Sequence, residues 1–500
     1  MATRWRDAWR RPRPPPATAS IRPELAERFR QVHPFDQAEA TLVEALVRRP
    51  SRLSRRHETT LRYALNLARC WVLTVDGEEL VVGTKLGSFR DRLGGLRQML
   101  EDGPDIDPKR LGSEAEGLVG VVEAAFERTL NEHPRLLTEA RLQQELGRKA
   151  LVLAVGGGGG CGYAHLGAFA LLKALRIEPA GVVGTSIGAL LGLFRAQRLD
   201  LRSSFVRSLA FDLRYSDLFR LLDAETRYGL PGALRLHLRS GLERFFLDEE
   251  DQPRTLGELP IPFVTIVSGV RREAFEVVRP YQREFRRALR RGALGRLLHL
   301  RDVITDLSRV LNDLVRTPGA LETISLGTDA LTQEFDAVDA VGFSMAIPAV
   351  LQYDVTRSDP RMEGVLAQLF HREGVDALAD GGLVSNVPAR IAWEMVQGGR
   401  LGTRNGAVVA LDCFVPSWGR HLPFLPLQRI AAENVERDRP FAQLVVPYRR
   451  VPSPVNVLPR HASIERAEVW GRESLDGRTP FLQKLLEPLS PLVSRNPTFK

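Results

Sequence analysis

The chain has 500 residues, 44% of them hydrophobic, enough for two or three domains with a sizeable core. Its three cysteines, Cys70, Cys161 and Cys413, are too few and too scattered for a disulfide framework and offer no CxxC spacing for zinc, which points to a reducing compartment. The net charge of +9, from 70 basic against 61 acidic residues, is carried mostly by arginine; with no basic stripe interleaved with aromatics, it fits a solvated surface or an anionic membrane and gives no case for nucleic acid.

Residues 1–20, "MATRWRDAWRRPRPPPATAS", lack the apolar stretch of a signal peptide and read as a disordered, basic, Pro-rich arm, with Trp5 and Trp9 as candidate interfacial anchors. Residues 21–148 read as a helical accessory region. "DQAEATLVEALVRR" and "ETTLRYALNLARCWVLTV" repeat apolar residues at spacings of three and four, "VDGEELVVG" inserts a turn and a short strand, and "EDGPDIDPKRLGS" reads as a loop. From Ala150 the character changes to short valine-rich runs, "ALVLAV", "GVVGTS", "PFVTIVSGV" and "GAVVALDCFV", separated by helical patterns and glycine turns. Continuous apolar runs are expected of parallel strands covered on both faces, hence an α/β sheet between helical layers over 149–415. The stretch 280–336 reads as a helical, arginine-rich insert. Its amphipathic half would set Leu289, Leu297 and Leu298 against either a membrane or the sheet, with Arg286, Arg290 and Arg301 facing headgroups or water. Residues 416–500 form a C-terminal extension, and no uninterrupted apolar run is long enough to span a bilayer.

The most unusual stretch is "LVLAVGGGGGCGYAHLG", residues 151–167, where five glycines separate a strand from a helix. A phosphate-binding loop would close on Lys-Ser/Thr, and this one closes on "CGYAHLG". A dinucleotide site would want an acidic residue at the end of the next strand, where the chain instead runs "GVVGTSIGALLGLF". Gly184, Ser186 and Gly188 there spell GxSxG between a strand and an apolar helix, which pushes a serine hydroxyl out at the sheet's carboxyl edge. Backbone N–H groups of the glycine loop can then bind the oxyanion produced when that serine attacks an ester, aided by the dipole of the following helix.

The attacking serine needs a base. His421 and His461 sit in ordinary surroundings, whereas Asp380 is the one charge in the apolar, glycine-bounded turn "ALADGGLVSNVPA". A desolvated carboxylate can hold a serine proton directly; the competing reading is an Asx turn before Gly381. His165, close to the glycine loop, fits a brace better than a proton carrier.

Five stretches, "GGGGGCGYAHLG", "GTSIGALLGLF", "LGELPIPFVTIVSGV", "AVGFSMAIPAV" and "ALADGGLVSNVPA", together resemble the patatin-like phospholipase family in order and spacing. The resemblance implies a patatin-like three-layer α/β/α sandwich with a mainly parallel central sheet, preceded here by the N-terminal helical region. It also implies Ser186 as nucleophile, Asp380 as base, and Gly157, Gly158, Gly159, Gly160 and Cys161 along the oxyanion loop. Two positions depart from the family: Cys161 replaces a basic residue and Gly342 an arginine.

The expected activity is therefore a serine acyl hydrolase of phospholipids or related acyl lipids, needing no cofactor and no metal, cytoplasmic or peripheral at a membrane surface. The alternative is a weak or inactive patatin-like protein that holds lipid without cleaving it.

Overall fold

The computed structural model describes residues 23–50, 53–197, 218–221, 226–274, 314, 317–355, 357–415, 425–457 and 461–492. The basic arm at 1–20 and the amphipathic half of the arginine-rich insert lie outside the described residues.

The N-terminal region opens with α1 (Pro23–Arg48) and α2 (Arg55–Arg69), the latter capped by Ser54 Oγ, which accepts the His57 N–H at 3.1 Å. A hairpin of β1 (Val72–Val75) and β2 (Glu78–Val81) turns through Asp76 and Gly77, both at positive φ. Then come α3 (Pro108–Glu132) and α4 (Glu139–Gly147), capped by Asp107 and Thr138. Their apolar faces, among them Leu61, Leu65, Leu111, Leu118, Val122 and Leu142, form one helical core. Burying such stripes, more than intrinsic propensity, stabilises helices of this length.

The second part alternates strands and helices: β3 (Ala150–Val155), α5 (His165–Ala174), β4 (Gly181–Thr185), α6 (Ile187–Ala196), β5 (Phe219–Leu221), β6 (Gly232–Leu236), β7 (Phe263–Arg271), β8 (Leu321–Leu326), α7 (Ala337–Ser344), β9 (Ala349–Gln352), β10 (Val375–Asp380), α8 (Ala389–Gln397), β11 (Gly406–Asp412), β12 (Leu444–Pro447) and α9 (His461–Asp476). Seven strands build the central sheet in the order β10-β7-β4-β3-β11-β12, with β8 also on β7. The pairings from β12 through β7 are parallel, while β8 and β10 run antiparallel to β7. The expected sandwich with a mainly parallel sheet is the one observed. Separately, β5, β6 and β9 make a small three-stranded sheet.

Alternate residues of each strand serve opposite layers. Leu151, Leu153, Val155, Val182, Val409 and Leu411 pack with α5, α6 and α9. Val152, Ala154, Val183, Val264, Val408 and Ala410 pack with Trp393 of α8 and with Leu25 and Phe29 of α1. Helix α1 thus reaches three cores, covering one face of the sheet with Leu25 and Phe29, filling the helical region with Leu42 and Leu46, and sending Val43 into the core of the opposite layer.

Two stretches read from sequence as additions are partly sheet. Of 280–336, residues 321–326 form β8, paired with β7 from Thr265↔Leu326 to Val270↔Leu321. Of 416–500, β12 extends the sheet beside β11, and α9 docks on α5 so closely that Gly167 faces the Glu468 carbonyl and Gly471 the Ala164 carbonyl with no room for a Cβ.

Candidate active site

The sheet's pairing explains how Ser186 and Asp380, 194 positions apart in number, come together. Strand β8 takes one edge of β7 over Thr265–Val270, so β4 and β10 share the other edge end to end. β4 runs parallel to β7 as far as Thr185↔Ile266, and β10 runs antiparallel as far as Asp380↔Val267. Their carboxyl ends therefore meet at neighbouring positions of β7. The residue after Thr185 is Ser186.

Ser186 has φ 54° and ψ −127°, a conformation that non-glycine residues rarely adopt and that surrounding structure must hold in place. The turn is tight on both sides. A Cβ on Gly184 would lie 2.5 Å from Ala189 Cα, and one on Gly188 would run into the carbonyl oxygens of Val155 and Gly156. The buried Ser186 N–H donates to Ser344 Oγ at 2.9 Å.

Asp380 is buried beside the Ser186 hydroxyl. Its Oδ1 accepts the Gly382 N–H at 2.7 Å, while Oδ2 is buried with no well-formed hydrogen bond among the described residues. Burial pushes the carboxyl up to about 6, against the opposing pull of the Ser186 hydroxyl and the Gly382 N–H. The backbone is fixed too: the Asp380 N–H donates to Ala346 O at 2.8 Å, and its carbonyl accepts from Ser268 Oγ at 2.7 Å. A hydroxyl beside a desolvated carboxylate is an arrangement able to transfer the serine proton during attack.

The glycine loop lies against this pair. A Cβ on Gly157 would stand 3.0 Å from Ser186 Cβ and 2.9 Å from Asn386 Oδ1, so a side chain there would crowd the serine. Several loop donors are already engaged: the Gly157 N–H with Asn386 O at 3.1 Å, that of Gly160 with Pro454 O at 2.8 Å, and that of Cys161 with Gly158 O at 3.1 Å. Among the described residues no protein acceptor takes the N–H of Gly158 or Gly159. Gly159 takes φ 54°, a left-handed conformation suited to glycine, and a Cβ there would lie 2.4 Å from Pro454 O.

Residues 153–393 match the sequence profile of the patatin-like phospholipase family. This stretch is a patatin-like phospholipase domain. Similar curated proteins include the lysophospholipase NTE1 of Coccidioides immitis (strain RS), 30% identical over 125 residues that make up 23% of this chain and 8% of that protein. The lysophospholipase NTE1 of Mycosarcoma maydis is 40% identical over 81 residues, 16% of this chain and 4% of its own length. An NTE family protein of Mycobacterium bovis is 30% identical over 121 residues, 24% of this chain and 31% of its own. The matches thus span less than a third of each of these relatives.

Both departures of this patatin-like domain have a local explanation. Cys161 is buried, and its thiol donates to Pro452 O at 3.2 Å; burial pushes its pKa up to about 12, so it stays a neutral donor. Gly342 faces the ring of Tyr353, which would lie 2.4 Å from a Cβ, and the Tyr353 hydroxyl donates to Asp339 Oδ1 at 2.6 Å. An arginine at 342 would have to displace that ring.

The structure also brings in residues that sequence reasoning missed. Ser344 and Ala346 touch Ser186 and Asp380, and Asn386 takes the Gly157 N–H. Residues 452–457 of the C-terminal extension cross the loop, accepting from Cys161 Sγ, Gly160 N and the Tyr163 hydroxyl. Ser344 lies in "AVGFSMAIPAV" and Asn386 in "ALADGGLVSNVPA", yet nothing in their residue type marks a role. Among the described residues no group of three or more His, Cys, Asp or Glu side chains is placed to hold a metal, and no helix is long and apolar enough to cross a membrane.

Proposed function

We propose that the domain is a serine acyl hydrolase acting on fatty-acyl esters of phospholipids or related lipids, with Ser186 as nucleophile and Asp380 as base. The observation that carries this reading is Ser186 in a strained strand-to-helix turn beside a buried carboxylate whose pKa is raised to about 6. As Ser186 Oγ attacks the ester carbonyl carbon, its proton passes to Asp380 Oδ2, the oxygen without another partner. The resulting oxyanion is held by the N–H groups of Gly158 and Gly159, because those of Gly157, Gly160 and Cys161 are taken by carbonyls. Collapse breaks the bond to the leaving alcohol, which takes the proton from Asp380. Water then attacks the acyl-enzyme, giving one proton to Asp380, and Ser186 is regenerated when that proton returns to its oxygen.

The lipid part of the proposal rests on the family and on relatives named lysophospholipase. The test is labelling of the purified full-length chain by a fluorophosphonate probe beside Ser186→Ala and Asp380→Ala, followed by assay on phospholipid and lysophospholipid vesicles. Labelling of the parent alone, with release of fatty acid, is the expected outcome. A folded parent that takes no label would favour the lipid-holding alternative.

A further inference from the structure

We infer that Ser344 is a positioning residue for the nucleophile, and that the segment Ser344–Ala346 sets the spacing between Ser186 and Asp380; this rests on reading those two as a catalytic pair. The buried Ser186 N–H lies in a turn that helix α6 cannot satisfy, since it precedes the first residue of the helix, and a buried N–H without an acceptor is costly. Ser344 Oγ supplies the acceptor at 2.9 Å. The direction of that bond is fixed, because the Ser344 hydroxyl donates to Ile266 O at 2.6 Å and so turns a lone pair toward Ser186.

Three further contacts make this a bridge between the two halves of the site. Ile266 is the β7 partner of Thr185, the residue before the nucleophile. Its carbonyl also abuts Gly381, the residue after the base, leaving no space for a Cβ there. Two residues beyond Ser344, Ala346 O accepts the Asp380 N–H at 2.8 Å. One short segment thus grips the backbone of both residues against one strand.

The segment is itself anchored. Ser344 ends α7, whose first turn carries the buried Asp339, preceded by the buried Asp336. Arg239 reaches both carboxylates at 2.9 and 3.0 Å, and Arg357 reaches Asp339 at 2.8 Å. With the hydroxyl of Tyr353 on Asp339, the helix cannot slide without breaking buried ion pairs.

The test compares Ser344→Ala with the shape-matched pair Ser344→Thr and Ser344→Val in the full-length chain. The readouts are fluorophosphonate labelling rate, kcat and KM on a soluble ester, all normalised to the folded fraction. Ser344→Ala and Ser344→Val are expected to lose about 10- to 100-fold in labelling rate and kcat with KM nearly unchanged. Ser344→Thr, which keeps the hydroxyl, is expected to stay within about threefold of the parent. Should the alanine variant fail to fold, the threonine and valine variants differ by the hydroxyl alone and decide the question. Labelling of Ser344→Ala or Ser344→Val at the parent's rate, or equal rates for Thr and Val, would overturn the inference while leaving the Ser186–Asp380 reading intact. A folded parent that takes no label would overturn both.

Discussion

His165 Nε2 lies 2.9 Å from the Gly156 carbonyl oxygen and its Nδ1 lies 3.2 Å from the Tyr448 hydroxyl, so one buried ring ties the glycine loop to the residue after β12. Burial pushes the imidazole down to about 4, which keeps it neutral near pH 7, with Nε2–H donating to Gly156 and Nδ1 accepting from Tyr448. His165→Ala is expected to lower stability by about 1–3 kcal/mol, because two buried polar groups lose their partners. The folded pKa is below the unfolded one, so the ring's contribution is present above about pH 6.5 and lost as pH falls toward 4. As a brace and not a proton carrier, its removal should slow fluorophosphonate labelling without deleting a limb of the pH–rate profile. Loss of such a limb would contradict the bracing role.

Asp380 makes the opposite prediction about pH. With its pKa raised to about 6 by burial, Asp380 as the proposed base must be ionised to take the serine proton, so kcat/KM should climb as pH rises through about 6 and level off above. The folded value exceeds the unfolded one, so the stability linked to this group is full below about pH 4 and lost as pH rises through 6. Asp380→Asn removes the buried charge. The variant should be inactive yet more stable than the parent at pH 8, by up to about 2–3 kcal/mol, with the gain vanishing near pH 4. Thermal melts of both proteins at the two pH values measure this directly, and equal differences at both would refute it.

Cys161 offers a test of the strap at 452–457. A basic residue there, as the family resemblance implies, would have to enter a buried site whose thiol now points at Pro452 O. Cys161→Arg should therefore fail to raise activity; overpacking should cost about 1–3 kcal/mol and displace the strap from the loop. Cys161→Ser keeps a donor of similar size and should retain labelling close to that of the parent. An arginine variant that is both stable and faster would show that the loop accommodates the family residue after all.

Much of this site was legible because its chemistry needs particular residue types in tight turns. Glycines at 157, 184 and 188 are dictated by close approach, and a lone charge at Asp380 in an apolar turn stands out; both signals survive in a single sequence. Strands β3, β4, β7 and β11, buried on both faces, likewise announce themselves as valine-rich runs. β8 was hidden because four of its six residues are only partly buried, and β12 because it has four residues. Ser344 and Asn386 act through hydrogen bonds to backbone groups distant in sequence, at 2.9 and 3.1 Å, and no local pattern encodes such a partner.

The N-terminal helices are joined to the sheet by buried charges, which predicts that they stabilise the domain without taking part in its chemistry. Glu39 of α1 meets Arg69 of α2 at 2.7 Å and Lys149, just before β3, at 2.8 Å; Asp36 meets Arg69 at 2.5 Å. Lys149 Nζ also donates to Asn66 Oδ1 at 2.8 Å and Asn405 Oδ1 at 2.6 Å, so its ammonium is fully partnered. Burial, with Arg69 close by, pulls the Lys149 ammonium down to about 7 against the hold of Glu39, so the two carboxylates face Arg69, the buried Arg62 and a lysine only partly charged near pH 7. Glu39→Gln removes the charge that favours protonated Lys149, which then sheds its proton, so the cost should fall below the ~3–5 kcal/mol of a buried pair broken with its charge retained. Adding Lys149→Met to Glu39→Gln removes the lysine left without its carboxylate and should recover part of the loss; a purely additive double variant would mean that the two groups are not coupled. β3 carries the chain about 20 Å from this cluster to the glycine loop. The labelling rate per folded molecule should therefore be the same in all four proteins of the cycle, even as their melting temperatures separate.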